Sequence, residues 1–167
     1  MIQAGLRQEP EEHLAIHTLL DEAVEWAFKM HPNAEDRITI QRHYAADLPT
    51  IQAGKRSLLT TFINIINNAT ASISDKGTIS LTTTRKEQDE KSFVEVYITD
   101  TGSGIPRRDL AKVFQLSFTT KEHGMGFGLW RDRAVVRWLG GEIEVDSEEG
   151  KGSTFCVRIP ATTDRVM

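Results

Sequence analysis

Apolar residues recur along parts of the chain at the three-and-four spacing of helices that bury one face. The longest such stretch places its apolar residues on one arc of a helical wheel: Leu58, Phe62, Ile65, Ile66, Ala69 and Ile73. His31-Pro32-Asn33 ends an earlier helix, and Gly140-Gly141 ends the last one. The pattern therefore predicts four helices, at residues 17–30, 57–74, 108–115 and 127–139.

Alternating and β-branched residues predict the strands. Their ranges are 37–44, 48–52, 78–85, 92–99, 142–146 and 154–159. Pro49 weakens the second of them, and the charged segment 86–91 is predicted to be a hairpin loop. The order of elements favours a mixed sheet with helices on one face. We predict a tail or linker at residues 1–16, a globular domain at 17–160 and a C-terminal tail at 161–167.

Composition narrows the function classes. The chain has 167 residues, with 20 Lys and Arg against 24 Asp and Glu, so its formal net charge is −4. This balance excludes a strongly basic nucleic-acid binder. The single cysteine, Cys156, excludes an internal disulfide framework. No apolar run approaches the length of a membrane span, so we expect a soluble, cytoplasmic domain without membrane contact.

Asparagines interrupt the helix predicted at 57–74. Asn64 and Asn68 are four residues apart and share one stripe, displaced from the apolar arc. Asparagine is a poor residue for a helix interior, because its side chain competes for backbone hydrogen bonds. The stripe could be a plain solvated surface. An amide oxygen is also a hard ligand, suited to a Mg²⁺ ion that keeps most of its waters.

Two segments are rich in glycine: one follows a predicted strand, and the other precedes a predicted helix. Asp100 ends an apolar strand, and Gly102 and Gly104 follow it, where they permit close approach of a ligand to the backbone. Gly124, Gly126 and Gly128 precede a helix, whose exposed N–H groups and positive dipole end favour phosphate. Taken alone, the first segment is more often a plain turn, and the second is weak evidence that a flexible loop would also explain.

A third segment lies between these two. Phe114 and Phe118 could be core residues, whereas Thr119, Thr120 and Lys121 place two hydroxyls and a cation just before the glycine loop. Lys121 is a natural point charge for a terminal phosphate.

The conjunction of these blocks in this order is specific. The blocks N-x-x-x-N-A, D-x-G-x-G-I, F-x-x-x-F-T-T-K and G-x-G-x-G-L precede GGEIEVDSEEGKGSTFCVRIP. The set resembles the catalytic ATP-binding domain of two-component sensor histidine kinases, in the wider Bergerat-fold group with gyrase and the Hsp90 chaperones. The resemblance covers about residues 17–160. It implies an α+β fold, a two-layer α/β sandwich whose mixed, mostly antiparallel sheet of about five strands is covered on one face by about three helices.

The resemblance also implies roles for residues. Asn68 would coordinate Mg²⁺, Asn64 would lie near the phosphates, and Asp100 would bind the adenine amine. The remaining ATP-binding residues it implies are Gly102, Gly104, Ile105, Phe118, Thr119, Thr120, Lys121, Gly124, Met125, Gly126, Gly128, Leu129 and Thr154. Asn64, Asn68 and Lys121 would be the catalytic ones. The implied cofactors are ATP and Mg²⁺.

The implied activity is donation of the ATP γ-phosphoryl group to a histidine on a separate dimerisation and phosphotransfer domain, and from there indirectly to a response regulator. That domain is expected upstream in a longer parent protein, which is free to be membrane-anchored. No H-[DE]-x-x-[NT] phosphoacceptor motif is present around His13 or His17.

Departures from the family pattern keep alternatives open. Gln115-Leu116-Ser117 stands where an acidic residue and a proline are usual, and the lid at 119–124 is short. A nucleotide-binding regulatory module without transfer activity and an anti-sigma-type serine kinase of the same fold remain alternatives. A gyrase-like or Hsp90-like hydrolase is disfavoured, because Asn64 occupies the place of the glutamate that activates water there.

Overall fold

The computed structural model describes residues 9–115 and 128–162. In these residues the chain forms seven strands and five helices. The strands are β1 (Glu11–Leu14), β2 (Ile38–His43), β3 (Ile51–Gly54), β4 (Gly77–Gln88), β5 (Lys91–Asp100), β6 (Glu142–Glu148) and β7 (Gly152–Pro160). The helices are α1 (Ile16–Lys29), α2 (Ala34–Arg37), α3 (Lys55–Ser72), α4 (Arg107–Leu110) and α5 (Gly128–Trp138).

The main sheet is mixed and has five strands in the order β2-β4-β5-β7-β6. β2 and β4 are parallel, and α3 lies in the crossover between them, as a parallel connection requires. The other three pairs are antiparallel. β1 and β3 form a separate antiparallel pair. The predicted α+β fold, with about five strands and a covering helical layer, is confirmed.

The core lies between the sheet and its single helical layer. α3 packs against α1 on one side and α5 on the other. Its fully buried side chains include Leu58, Phe62, Ile65 and Ile66, which are four of the six residues of the predicted apolar arc. They meet Ile79, Leu81, Val96 and Ile98 of the central strands. Burial of this arc fixes the rotation of α3 about its own axis.

Several boundaries differ from the sequence prediction. Residues 11–14, predicted as part of a tail, form β1, because β3 supplies its hydrogen-bonding partner. The second predicted strand lies at Ile51–Gly54 rather than at 48–52. The predicted loop at 86–91 is a two-residue turn, since Asp89 and Glu90 both have positive φ and let the strands pair up to Gln88 and Lys91.

The start of α3 depends on a side chain from outside the helix. Its N-cap residue is Gly54, which offers no side-chain cap. The Glu9 carboxylate takes that place: it accepts hydrogen bonds from the backbone N–H groups of Arg56 and Ser57 and, at 2.6 Å, from the Ser57 hydroxyl. A carboxylate here satisfies orphan donors and complements the positive end of the helix dipole.

None of the helices in the described residues is both long and apolar enough to cross a bilayer.

Replacing Glu9 by Ala should lower the free energy of unfolding by about 1 kcal/mol, because the first turn of α3 loses its only side-chain cap in the described residues. Chemical denaturation would measure this loss. Glu12→Ala, at an exposed position of the same strand region, is the matched control and should change stability little. Equal stability of the two variants would contradict the capping role.

Candidate functional site

A polar stripe runs along α3 beside its buried arc. Asn64, Asn68 and Ser72 are spaced four residues apart, so they follow one another on one side of the helix. Eight residues of helix span about 12 Å. The stripe therefore connects two groups of residues that are far apart in sequence, one at each of its ends.

Asp100 lies at the Ser72 end. It is the last residue of β5 and is only 5% exposed. Its Oδ1 accepts hydrogen bonds from the Gly102 N–H at 2.8 Å and from the Ser72 hydroxyl at 3.1 Å. The backbone amide of Ser153, the register partner of Asp100 on β7, also hydrogen-bonds the carboxyl group. The carboxyl group is thus held in one orientation by three separate parts of the chain.

The loop after Asp100 is packed too closely for side chains at its glycines. A Cβ at Gly102 would lie 2.0 Å from Ser72 Oγ, and one at Gly104 would lie 2.1 Å from the carbonyl oxygen of Glu148. Gly104 also has a φ of +71°, which favours glycine. The two glycines therefore let this loop lie directly against α3 and β6.

Ile105 and Thr154 border the same region. The Ile105 N–H donates to Ser147 Oγ at 2.7 Å, and its half-buried side chain packs against the core. Thr154 faces Thr99 across the β5–β7 ladder, one residue before Asp100, with their hydroxyl oxygens 3.0 Å apart. Both predicted residues thus lie on elements adjoining Asp100.

Asn64 lies at the other end of the stripe, against α5. Its Nδ2 donates to both carboxylate oxygens of Asp132, at 3.1 and 3.2 Å. Gly128, the first residue of α5, lies close by: a Cβ there would be 3.6 Å from the same Nδ2. Leu129 packs against the core. The N-terminus of α5 and the first asparagine of the stripe are therefore neighbours.

Burial controls the ionisation of both acids. Desolvation raises the pKa of Asp100, opposed by the hydrogen bonds from Gly102, Ser72 and Ser153. Desolvation also raises the pKa of Asp132 to about 7, opposed by the hydrogen bond from Asn64, the positive charge of Arg131 and a hydrogen bond from Thr61. Asp132 thus titrates near neutral pH.

Asn68 could supply one oxygen ligand to a divalent cation that is held jointly with a bound ligand. Within residues 9–115 and 128–162 no three His, Cys, Asp or Glu side chains gather closely enough to hold a metal. An amide oxygen at Asn68 is a hard, neutral ligand on the polar stripe. This composition suits Mg²⁺ bound mainly by phosphates and water, rather than a cage made by the protein.

The structure covers only part of the predicted site. It brings Asn64, Asn68, Asp100, Gly102, Gly104, Ile105, Gly128, Leu129 and Thr154 to the stripe and its two ends. Seven predicted residues lie outside the described ranges: Phe118, Thr119, Thr120, Lys121, Gly124, Met125 and Gly126.

Sequence reasoning missed Ser72 and Asp132. Ser72 could have been found from its spacing, because it continues the four-residue series of Asn64 and Asn68. Asp132 carried a weaker signal. It lies three residues after Leu129 and four before Val136, on the side of its helix where an apolar residue is expected.

The fold is that of the two-layer Bergerat ATP-binding domains. In this class a mixed sheet is covered by one layer of helices, one of which carries the asparagines, and glycine-rich loops lie beside it. Residues 53–163 match the family model described as "Histidine kinase-, DNA gyrase B-, and HSP90-like ATPase". The chain belongs to this family.

Curated relatives are named as kinases. The chain is 33% identical over 156 residues to the sensor histidine kinase ZraS of Escherichia coli K12, covering 92% of this chain and 33% of ZraS. It is 37% identical over 123 residues to sporulation kinase A of Bacillus subtilis 168, covering 74% of this chain and 20% of that protein. The chain thus spans a third or less of the length of these two relatives.

Solved structures agree on the fold. The catalytic domain of histidine kinase ThkA superposes with a TM-score of 0.75 at 24% identity, covering 91% of this chain and 96% of that one. Full-length ShkA in complex with AMPPNP gives a TM-score of 0.76 at 27% identity, covering 93% of this chain and 32% of ShkA.

Asp132→Asn should remove a pH dependence of stability. Because the pKa of Asp132 is raised from 3.8 to about 7, the native state binds one proton more than the unfolded chain between these values. The free energy of unfolding of the parent should therefore fall as pH rises, by up to about 1.4 kcal/mol per pH unit.

Chemical denaturation of both proteins from pH 5 to 8.5 would measure this. The free energy of unfolding of Asp132→Asn, relative to that of the parent, should rise with pH up to about pH 7 and stay constant above it. The contribution of Asp100 is common to both proteins and cancels. A difference that does not change with pH would contradict the assignment.

Proposed function

We propose that this chain is the ATP-binding catalytic module of a sensor histidine kinase, which donates the γ-phosphoryl group of ATP to a histidine on a separate domain. The observation that carries the proposal is the stripe of α3, which joins Asp100 at one end to Asn64 and the N-terminus of α5 at the other. The named activities of the curated relatives and the AMPPNP complex of ShkA support it.

The adenine end of the nucleotide belongs at Asp100. A carboxylate oriented by Gly102, Ser72 and Ser153 can accept a hydrogen bond from the exocyclic amine of adenine. Guanine presents a carbonyl oxygen at the matching position, and two acceptors would face each other. Gly102 and Gly104 would let the backbone lie close to the bound base. Thr154 would support the base through a water molecule.

The phosphate end belongs between Asn64, Asn68 and the start of α5. The first N–H groups of a helix have no partner within it, and the helix dipole favours anions there. Gly128, the first residue of α5, lies next to Asn64. Asn68 would hold Mg²⁺ through its amide oxygen, and the metal would neutralise charge on the phosphates. Lys121 and the glycines at 124 and 126 are proposed to complete this end.

Transfer then needs positioning more than acid–base chemistry in this chain. A histidine nitrogen of the partner domain attacks the γ-phosphorus, the bond between that phosphorus and the bridging oxygen breaks, and ADP leaves. The attacking imidazole supplies the electron pair, so the module needs no strong base. Asn64 offers only an amide, which cannot activate water for hydrolysis.

The partners follow from this chemistry. The chain needs a dimerisation and phosphotransfer domain that carries the acceptor histidine, and a response regulator receives the phosphoryl group from that domain. We place the module in the cytoplasm, where ATP is available, whether or not the parent protein is anchored in a membrane.

Transfer should require a supplied acceptor. The chain alone should neither label itself from γ-labelled ATP nor hydrolyse ATP at a steady rate. With Mg²⁺ and a cognate phosphotransfer domain, added in trans or fused upstream of residue 17, the histidine should become labelled, and leaving out Mg²⁺ should abolish the labelling. The product should be acid-labile and base-stable, as a phosphoramidate is.

One control and two contrary outcomes complete this experiment. A phosphotransfer domain whose acceptor histidine is replaced by alanine should remain unlabelled. Steady hydrolysis by the chain alone would favour an ATPase, and acid-stable label on serine would favour the serine-kinase alternative. Either result would refute the proposed reaction.

Asp100→Asn should weaken ATP binding about ten- to a hundred-fold. The reason is that a hydrogen bond to a charged group, whose loss costs about 1.5–3 kcal/mol, would be missing. The fold should persist, because an amide oxygen can still accept the hydrogen bonds from Gly102 and Ser72. Calorimetry with ATP and GTP would measure both binding and base preference. Asp89→Asn, in the β4–β5 turn, is the matched control. Equal affinity of the parent for ATP and GTP would exclude adenine recognition by Asp100.

A further inference from the structure

Asp132 occupies an unexpected place in α5. Leu129, Asp132 and Val136 lie at positions i, i+3 and i+7 and share the inward side of the helix. Leu129 packs against the core, Val136 is fully buried, and Asp132 is only 1% exposed. Burying a carboxyl group here is unfavourable compared with an aliphatic residue, which would extend the apolar stripe. Its presence therefore calls for a reason other than packing.

The contacts of Asp132 are concentrated on the polar stripe of α3. Both carboxylate oxygens accept from Nδ2 of Asn64, at 3.1 and 3.2 Å. Thr61, one turn earlier on α3, is fully buried, and its hydroxyl group donates to the carbonyl oxygen of Ser57 at 3.1 Å. The carboxyl group of Asp132 thus contacts the nitrogen end of the Asn64 amide across the α3–α5 interface.

This arrangement determines which end of the amide is available elsewhere. The nitrogen and oxygen of an asparagine amide exchange places on a half-turn about its last torsion, and only the hydrogen-bonding surroundings choose between them. An ionised carboxylate can accept hydrogen bonds but cannot donate one, and a protonated carboxyl group still keeps an acceptor oxygen for Nδ2. Asp132 therefore holds Nδ2 and leaves Oδ1 as the atom that Asn64 offers on its other side.

We propose that Asp132 is a positioning residue that makes Asn64 a hydrogen-bond acceptor toward the hydrated Mg²⁺ of a bound nucleotide. The proposal rests on the proposed function, in which Asn64 lies at the phosphate end. Waters on a divalent cation are strong donors and match Oδ1, whereas phosphate oxygens would match Nδ2. Asp132 thus directs Asn64 to the metal's water shell rather than to the phosphates.

Binding of AMPPNP with and without Mg²⁺ tests the proposal. Asp132→Val removes the acceptor and extends the apolar stripe of α5. It should lower the Mg²⁺-dependent affinity about tenfold, leave the metal-free affinity unchanged, and leave the melting temperature equal or higher. Asp132→Asn keeps an acceptor oxygen for Nδ2 and should restore most of the affinity.

A double-mutant cycle with Asn64→Ala identifies the route of the effect. If Asp132 acts through Asn64, Asp132→Val should cause no further loss in the Asn64→Ala background. An equal loss in both backgrounds would overturn the proposal, and so would parent-like binding by Asp132→Val. Failure of the parent itself to bind AMPPNP with Mg²⁺ would instead refute the proposed function, so the two failures are distinguishable.

A measurement without nucleotide keeps the proposal testable even if Asp132→Val does not fold. In the parent, the side-chain amide protons of Asn64, assigned by their absence in Asn64→Ala, should exchange with solvent much more slowly than those of the exposed Asn33. Exchange as fast as that of Asn33 would show that Asp132 does not hold the amide, and would overturn the proposal.

Discussion

The rotation of α3 about its axis is the constraint on which the site depends. Phe62, Ile65 and Ile66 are fully buried against the central strands, and no other rotation of the helix would bury all three. The same packing places Asn64, Asn68 and Ser72 on one side of α3, with α5 at one end of this stripe and Asp100 at the other. Capping of the helix start by Glu9 adds a second restraint from the N-terminal strand region. A site made of short amides and a hydroxyl group tolerates little movement, because these side chains have little reach of their own.

Close backbone contact supplies the complementary restraint at the other end. Gly104 lies against the carbonyl of Glu148, and a Cβ at Gly152 would lie 2.0 Å from the carbonyl oxygen of Asp100. These contacts lock the end of β5 between the β6–β7 turn and α3. Asp100 consequently needs no mobile partner to hold its carboxyl group in place. The acid is held in place without a ligand, which would reduce the entropy cost of the proposed contact with adenine.

Sequence was informative wherever local chemistry decides the outcome. The apolar arc of α3 predicts its buried face, and the asparagines beside the arc predict a polar stripe whatever the helix packs on. Asp100 is a candidate from the sequence because it ends an apolar strand and precedes two glycines. Asp132 was missed because a charged residue in a polar helix normally faces solvent, and only the packing of α5 on α3 buries it. β1 was missed for a related reason: three of its four residues are exposed, and pairing with β3 makes it a strand. For both Asp132 and β1, long-range contacts rather than the local sequence preference determine the structure.

Under the proposed function, the pair formed by Asn64 and Asp132 also bears on why this module would transfer a phosphoryl group to a histidine rather than to water. A carboxylate does lie near the proposed phosphate end, but it is almost fully buried and both of its oxygens are engaged by the amide of Asn64. To reach a water molecule it would have to leave those hydrogen bonds and displace the amide in front of it. The group that Asn64 would present toward the phosphates is then an amide, which can orient a donor but cannot remove its proton. The nucleophile would then have to come with its own electron pair, and the imidazole of the proposed partner domain would provide one.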